Sequence, residues 1–248
     1  MEMTPLHKEV RELAIGNFKR INRTRRVERK RWDLPVGSWD VSVVRGPVLE
    51  KAAVTQIILN TKHPVTGETT RFNVFQVMVY PASPKIPILL INVENRVGKE
   101  DIFAGFLDVA HVSAAAADLR LLQNQIQKIT RNHGLNYEML RSKLRNLYYM
   151  DTWNKQLNAE IGIRLELQSE EYALLRDGTL GWIESYFEIA DRRKKERFTP
   201  RHESIMYNVR ARIMEFYLLK DLSFSVAQKL GVPLEALSFG NFAPCIRY

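Results

Sequence analysis

Four strand-like segments follow one another in the first half of the chain with little between them. They are Trp39–Arg45, Val48–Leu59, Arg71–Tyr80 and Ile86–Val93, all rich in Val, Ile, Phe and Thr. The stretch Thr61-Lys62-His63-Pro64-Val65-Thr66-Gly67-Glu68 has the turn chemistry of a hairpin, and 81–87 is a short proline-bounded loop. Parallel neighbours need a long crossover, so connections this short impose antiparallel pairing. Such a sheet has apolar faces that only helices can cover, and the rest of the chain supplies them.

Residues 6–31 read as a polar helix with Leu6, Val10, Leu13 and Ile21 loosely periodic, ended by the Pro35 and Gly37 region. Val112–His133 is helical, with Leu119, Leu122, Ile126 and Ile129 on one face and Gly134 at its end. Tyr137–Met150 follows as a second helix, and Ala159–Leu167 alternates like a half-buried strand. Ser169–Lys195 is helical with breaks at Gly178 and Gly181, Ala211–Lys220 resembles a last strand, and 224–238 holds one or two short helices. The expected fold is α+β: a three-layer α/β/α sandwich around a central, mainly antiparallel sheet. It forms one domain over 1–248, with 1–37 a basic helix and linker, 38–221 the sheet and its covering helices, and 222–248 a helical tail.

Composition excludes several classes. At 45% hydrophobic residues in 248, the chain has the apolar content of a globular core rather than of a disordered segment. No apolar run is long enough for a membrane span, and Met1-Glu2-Met3-Thr4-Pro5 lacks a signal-peptide core, so a cytoplasmic protein is expected. One cysteine, Cys245, excludes a disulfide framework and a zinc site built on several thiolates. The five histidines show no ligand spacing. P-loop, GxGxxG, GxSxG and kinase signatures are all missing.

The net charge of +9 is concentrated. Residues 19–31 hold eight Lys/Arg and one Glu, leaving a net of +2 for all the rest. Such a segment is either a solvated face or a docking surface for an acidic partner. Nucleic acid is disfavoured, because only Trp32 adjoins the run and stacking aromatics are otherwise missing.

Strand alternation sorts the candidate site residues. Gln76, Met78 and Tyr80 share one face of 71–80; Ile88, Leu90, Asn92 and Glu94 share one face of 88–94. If the two strands pair, Gln76, Tyr80, Asn92 and Glu94 gather on one side, where a polar ligand would satisfy them. Asp108 lies in the apolar run Phe103-Ala104-Gly105-Phe106-Leu107-Asp108-Val109-Ala110. A carboxyl in such surroundings has a raised pKa suited to proton transfer, with His111 close by in sequence.

Four patches in order resemble the oxygen-dependent coproporphyrinogen oxidase family, whose fold is shared by the ferredoxin-dependent bilin reductases. They are Val48-Leu49-Glu50-Lys51-Ala52-Ala53-Val54; Tyr80-Pro81-Ala82-Ser83-Pro84-Lys85-Ile86-Pro87 running on to Asn92; Gly105-Phe106-Leu107-Asp108; and Phe198-Thr199-Pro200 followed by Arg210-Ala211-Arg212 and Glu215-Phe216-Tyr217-Leu218-Leu219-Lys220-Asp221. The chain departs from the oxidases at Tyr80, where they have His, at Glu94, where they have Arg, and at Leu222-Ser223-Phe224, where they have Arg-Gly-Thr. Arginines hold substrate propionates bidentately, so these losses weigh against coproporphyrinogen decarboxylation. The short hairpin at 61–70 is also more similar to a bilin reductase. Gln76 stands where those enzymes place a His, and Asn92 where they place an Asp.

The resemblance implies a tetrapyrrole oxidoreductase that reduces a biliverdin-like bilin held between the sheet and the C-terminal helices. Electrons would come from ferredoxin docked on the basic surface, with no cofactor bound by the protein itself. Asp108 and His111, with Asn92 and Gln76, would be the catalytic set; Tyr80, Glu94, Arg96 and Arg212 would bind substrate, the two arginines through its propionates. The alternatives are coproporphyrinogen oxidase chemistry and a non-catalytic relative that binds heme, a bilin or nucleic acid.

Overall fold

The computed structural model describes residues 4–62, 67–97, 102–153, 155–156, 160–168 and 172–247. Seven strands form one antiparallel sheet in the order β1 (Glu28–Leu34), β2 (Gly37–Val44), β3 (Leu49–Lys62), β4 (Thr69–Pro81), β5 (Ile88–Val97), β6 (Ile102–Ala110) and β9 (Ile163–Gln168). The first six are consecutive, as short connections require. Between β6 and β9 the chain leaves the sheet through α2 (Ala116–Asn132), α3 (Tyr137–Leu147) and a two-residue ribbon of β7 (Tyr149–Met150) and β8 (Lys155–Gln156). The α/β/α sandwich expected from the strand pattern is the fold observed.

One face of the sheet is covered by α1 (Thr4–Asn22), α2 and α4 (Tyr172–Arg193). In α1, Leu6, Val10, Ala14, Phe18 and Ile21 are buried, a three-to-four-residue stripe that packs on α4 and β3. In α4 the stripe is broader, running through Leu175, Thr179, Trp182, Tyr186 and Ala190. Its two glycines do not break it. A Cβ on Gly181 would lie 2.8 Å from Gln125 of α2, and one on Gly178 would lie 3.4 Å from Leu107, so they let α4 lie close to its neighbours.

The other face is covered by α5 (Pro200–Leu219), α6 (Leu222–Lys229) and α7 (Leu234–Asn241). Here two expectations fail. Residues 211–219 belong to helix α5, with Lys220 as its C-cap, not to a strand. Arg210, Ala211, Ile213, Met214, Phe216 and Tyr217 are buried while Leu218 and Leu219 are exposed, a helical rather than a two-residue period. Thr199 caps this helix, accepting a hydrogen bond from the His202 N–H while the His202 ring accepts one from the Thr199 N–H. Likewise the basic helix stops at Asn22, and residues 28–34 form the edge strand β1. Trp32 pairs with Trp39 in register and meets Phe239, so the segment is built into the sheet rather than attached as a linker. Its exposed Arg29, Lys30 and Arg31 suit an edge strand, where charge discourages further pairing. Residues 102–110, to which the sequence pattern assigns no element, form strand β6, which pairs on both sides, and α3 ends at Leu147 rather than Met150. The 61–68 turn was expected to join β3 and β4; the two strands pair up to Lys62 and Thr69, and residues 63–66 lie outside the described residues.

Among the described residues no helix is long and apolar enough to cross a membrane.

Candidate functional site

Strand register lines up side chains in rows on the α5–α7 face. One row runs Thr55, Gln76, Asn92, Phe106 and Arg164 across β3, β4, β5, β6 and β9. The next runs Trp39, Ile57, Val74 and Glu94, and the third Leu59, Phe72 and Arg96. These rows floor a cleft of about 300 Å³, roofed by Tyr217, Asp221, Leu222, Phe224 and Ala227 and walled by Leu237 and Asn241. Its size falls at the lower end of small-molecule sites. Leu222 and Ser223 are exposed and line it, so the cleft reaches the surface there.

Four of the expected residues therefore meet: Gln76, Asn92, Glu94 and Arg96 all line the cleft. Four of the lining residues carry a buried polar atom without a hydrogen-bond partner, as do several residues elsewhere among those described. In the cleft these are the Gln76 Oε1, Asn92 Oδ1 and Asn241 Oδ1 oxygens and the Trp39 indole N–H. Native interiors rarely leave such groups unmade, and a polar ligand satisfies them. Arg96 is committed differently from expectation. Its Nε donates to Glu94 Oε1 at 2.7 Å and its Nη2 to the same oxygen, so the two side chains form an ion pair within the cleft.

The other four expected residues stand outside the lining. Asp108 is completely buried on the same face, opposite Leu90, but Tyr148 and Gly162 lie against it. A Cβ on Gly162 would fall 2.2 Å from Asp108 Oδ1, which shows how closely that backbone approaches. His111 lies beyond the end of β6 with Nε2 2.8 Å from Glu160. Tyr80 is buried and donates its hydroxyl to the Asn241 carbonyl at 2.6 Å; burial pushes its pKa far up, partly opposed by Arg210. Arg212 donates to Asn208 Oδ1 at 3.1 Å and stacks on Trp153 at 5.3 Å, so its guanidinium is spent on helix α5 and the 151–153 turn.

Two residues of the cleft were not among the expected set. Asp221 caps α6, accepting from the Phe224 N–H at 3.0 Å. Burial raises its pKa, the N–H groups of Phe224 and Ser223 oppose the rise, and the charge of Glu94 adds to it. Asp221 in turn pushes up the phenols of Tyr148 and Tyr217, whose main cause is burial. Arg164, from β9, lines the cleft opposite Phe106 and has no ion-pair or hydrogen-bond partner among the described residues. The signal for Asp221 was present in its place within the last quoted patch. Arg164 carried a weaker one, as the polar position in the alternating strand 159–167.

The site thus combines an apolar floor, one carboxyl held towards its protonated form, one ion-paired carboxylate and two guanidiniums. Its lining offers apolar contact, guanidiniums for an anionic group and a carboxyl whose burial favours its protonated form. Among the described residues no group of three or more His, Cys, Asp and Glu side chains is placed to hold a metal ion. No protein-family model matches the chain, and no curated protein matches it.

Proposed function

We propose that the cleft binds a linear tetrapyrrole of the biliverdin kind and that the protein reduces it with electrons supplied one at a time by ferredoxin. The observation that carries this reading is the carboxyl of Asp221, raised in pKa and placed in an apolar cleft between the sheet and the C-terminal helices. Reducing one double bond adds two electrons and two protons. Ferredoxin supplies the electrons, Asp221 donates a proton to the bilin, and water at the exposed Leu222–Ser223 side restores it for the second transfer. The unpartnered Gln76, Asn92 and Asn241 oxygens accept from pyrrole and lactam N–H groups, and Arg164 pairs with a propionate. Arg25, Arg26, Arg29 and Arg31 are exposed at the β1 edge, one strand from Trp39 of the cleft, and offer an acidic carrier a docking surface.

The test is spectroscopic. Biliverdin mixed with micromolar protein is expected to shift and sharpen its visible bands, and reduced ferredoxin is expected to bleach the bound pigment without air. An unchanged biliverdin spectrum would sink the proposal. A bound spectrum that reduced ferredoxin leaves untouched would make the protein a bilin carrier instead.

A further inference from the structure

Within the cleft, two charged groups neutralise each other where a ligand would compete for one of them. Arg96 and Glu94 stand two residues apart on the same face of β5, and both guanidinium contacts go to one carboxylate oxygen. Their side chains are 24% and 14% exposed, so the pair is reachable from the cleft yet poorly hydrated. A carboxylate in such surroundings is costly to leave unpaired. Asp221 stands in the roof above them, within range of the Glu94 charge.

We propose that the Arg96–Glu94 pair is a latch, opened when an anionic group of the ligand takes Arg96, and that its opening leaves Glu94 unpaired beside Asp221 and draws a proton onto those two carboxyls. The exchange balances: one ligand carboxylate replaces one protein carboxylate on the guanidinium, and one proton enters from solvent. Binding then adds to the protons that reduction consumes. The latch rests on the bilin reading given above and specifies how that site is regulated. Other groups near Asp221 do not substitute for Glu94. Tyr217 of α5 and Tyr148 beyond α3 have pKa values pushed far up and stay neutral. Arg164 of β9 lines the cleft but carries no carboxyl, and the N–H groups of Phe224 and Ser223 are spent on the cap. Lys220 donates to the Tyr149 carbonyl.

The experiment titrates biliverdin, a dicarboxylate, and its dimethyl ester into the protein near pH 6.5, in buffers of different ionisation enthalpy. Calorimetry then gives protons taken up per ligand bound. The wild type is expected to take up about one proton with the diacid and none with the diester, as coupled carboxyls do when a neighbouring positive charge is withdrawn. Both Glu94→Gln and Arg96→Gln are expected to abolish the uptake, but with opposite effects on affinity. Freeing Arg96 from Glu94 tightens diacid binding about tenfold, and removing Arg96 weakens it about tenfold. A packing defect would weaken both. Diacid binding without uptake, equal uptake with the diester, or full uptake in Glu94→Gln overturns the latch and leaves the bilin reading standing. Binding of neither compound overturns both. The diester arm uses the unmodified protein, so it stands even where a variant fails to fold.

Discussion

The two faces of the sheet are built from alternate residues of the same strands, yet they do opposite things. On the α1/α2/α4 face, Phe75, Val77, Val79, Leu89, Ile91 and Val93 meet helices whose facing stripes are apolar, and the layer closes. On the α5–α7 face, Gln76, Asn92, Glu94 and Arg96 interrupt the apolar set, and the helices stand off from the sheet by the depth of a cleft. The closed layer and the cleft are thus separated by the pleat rather than by domains. The first face confines its polar side chains to a few positions, His7 on Gln56 and the cross-strand pair Asn73 and Asn95 among them, whereas on the second the polar side chains gather around one cleft.

The largest expected effect comes from exchanging that chemistry across one peptide bond. Val77→Asn puts an amide into the closed layer at a fully buried position and is expected to cost about 3 kcal/mol or more, from lost apolar contact and an unmade hydrogen bond. Gln76→Leu, one residue away, removes an unpartnered oxygen from the cleft and is expected to leave stability within about 1 kcal/mol or raise it, while weakening bilin binding. Urea unfolding of the two variants measures both. A large loss from Gln76→Leu would mean that the residue is structural and the contrast between faces is false.

Acid separates the faces next. His7 of α1 is 6% exposed, with its edge against Phe75 and Nδ1 3.0 Å from the Gln56 amide nitrogen. Burial lowers its pKa from 6.5 to about 4. A depressed histidine is neutral in the folded state, so its contribution is complete above pH 6.5 and is lost as pH falls from 6.5 towards 4. The loss is about 3 kcal/mol for a shift of this size. Replacing His7 with Gln should flatten the stability profile in that window. A profile unchanged by the substitution would show that the acid sensitivity arises elsewhere. On the cleft face the sign is reversed: Asp221, with its pKa raised, favours folding at low pH and opposes it as the group ionises.

Proton delivery distinguishes two carboxyls on one face. Asp221→Asn is expected to bind biliverdin and lose reduction by about a hundredfold or more, the usual consequence of removing a general acid. Asp108→Asn is expected to retain the spectral change on binding, because Asp108 is completely buried and is not among the residues lining the cleft. Single-turnover absorbance with reduced ferredoxin separates them. Full loss in Asp108→Asn with none in Asp221→Asn would reverse the assignment.

The sequence was most readable where period and pairing act locally. Alternation along 71–80 and 88–94, with the short loop between them, was enough to place Gln76, Asn92 and Glu94 together. No strand or face was read for Asp108, because the apolar run 103–110 shows no alternation, and the sequence could not say that Tyr148 and the Gly162 backbone lie near it while Asn92 lines the cleft. Which helix roofs which row is decided by packing between elements dozens of residues apart. For that reason Arg164, paired to β6 across two helices, was passed over. Asp221 was hidden by a different route: a helix cap is an ordinary use for Asp, and only the neighbouring Glu94 and burial make its carboxyl unusual. The 28–34 strand was missed because an exposed edge carries charge at nearly every position and shows no apolar period.

The smallest effects lie in ion pairs, and these too divide by face. Asp118, at the start of α2, is 1% exposed and accepts from Arg192 at 2.7 Å and Arg193 at 2.6 Å. Asp118→Asn removes the buried carboxylate the two guanidiniums share but leaves Arg192 with Glu188 and Arg193 with Glu196, so it is expected to cost about 1 kcal/mol, the size of a lost hydrogen bond. On the cleft side, Lys30 of β1 pairs with Glu235 of α7 while its ammonium sits 5.0 Å from the centre of the Phe239 ring. Glu235 is exposed, and the side-chain entropy needed to hold an exposed pair nearly cancels its attraction. Glu235→Gln should therefore leave the melting temperature unresolved from wild type at ordinary salt. The Lys30 stem remains on Phe239 in the variant, so the edge strand keeps its place beside the cleft wall. A salt-independent drop in melting temperature for Glu235→Gln, equal to that of Asp118→Asn, would show that α7 is clamped as firmly as α4. The cleft face would then be no looser than the closed one.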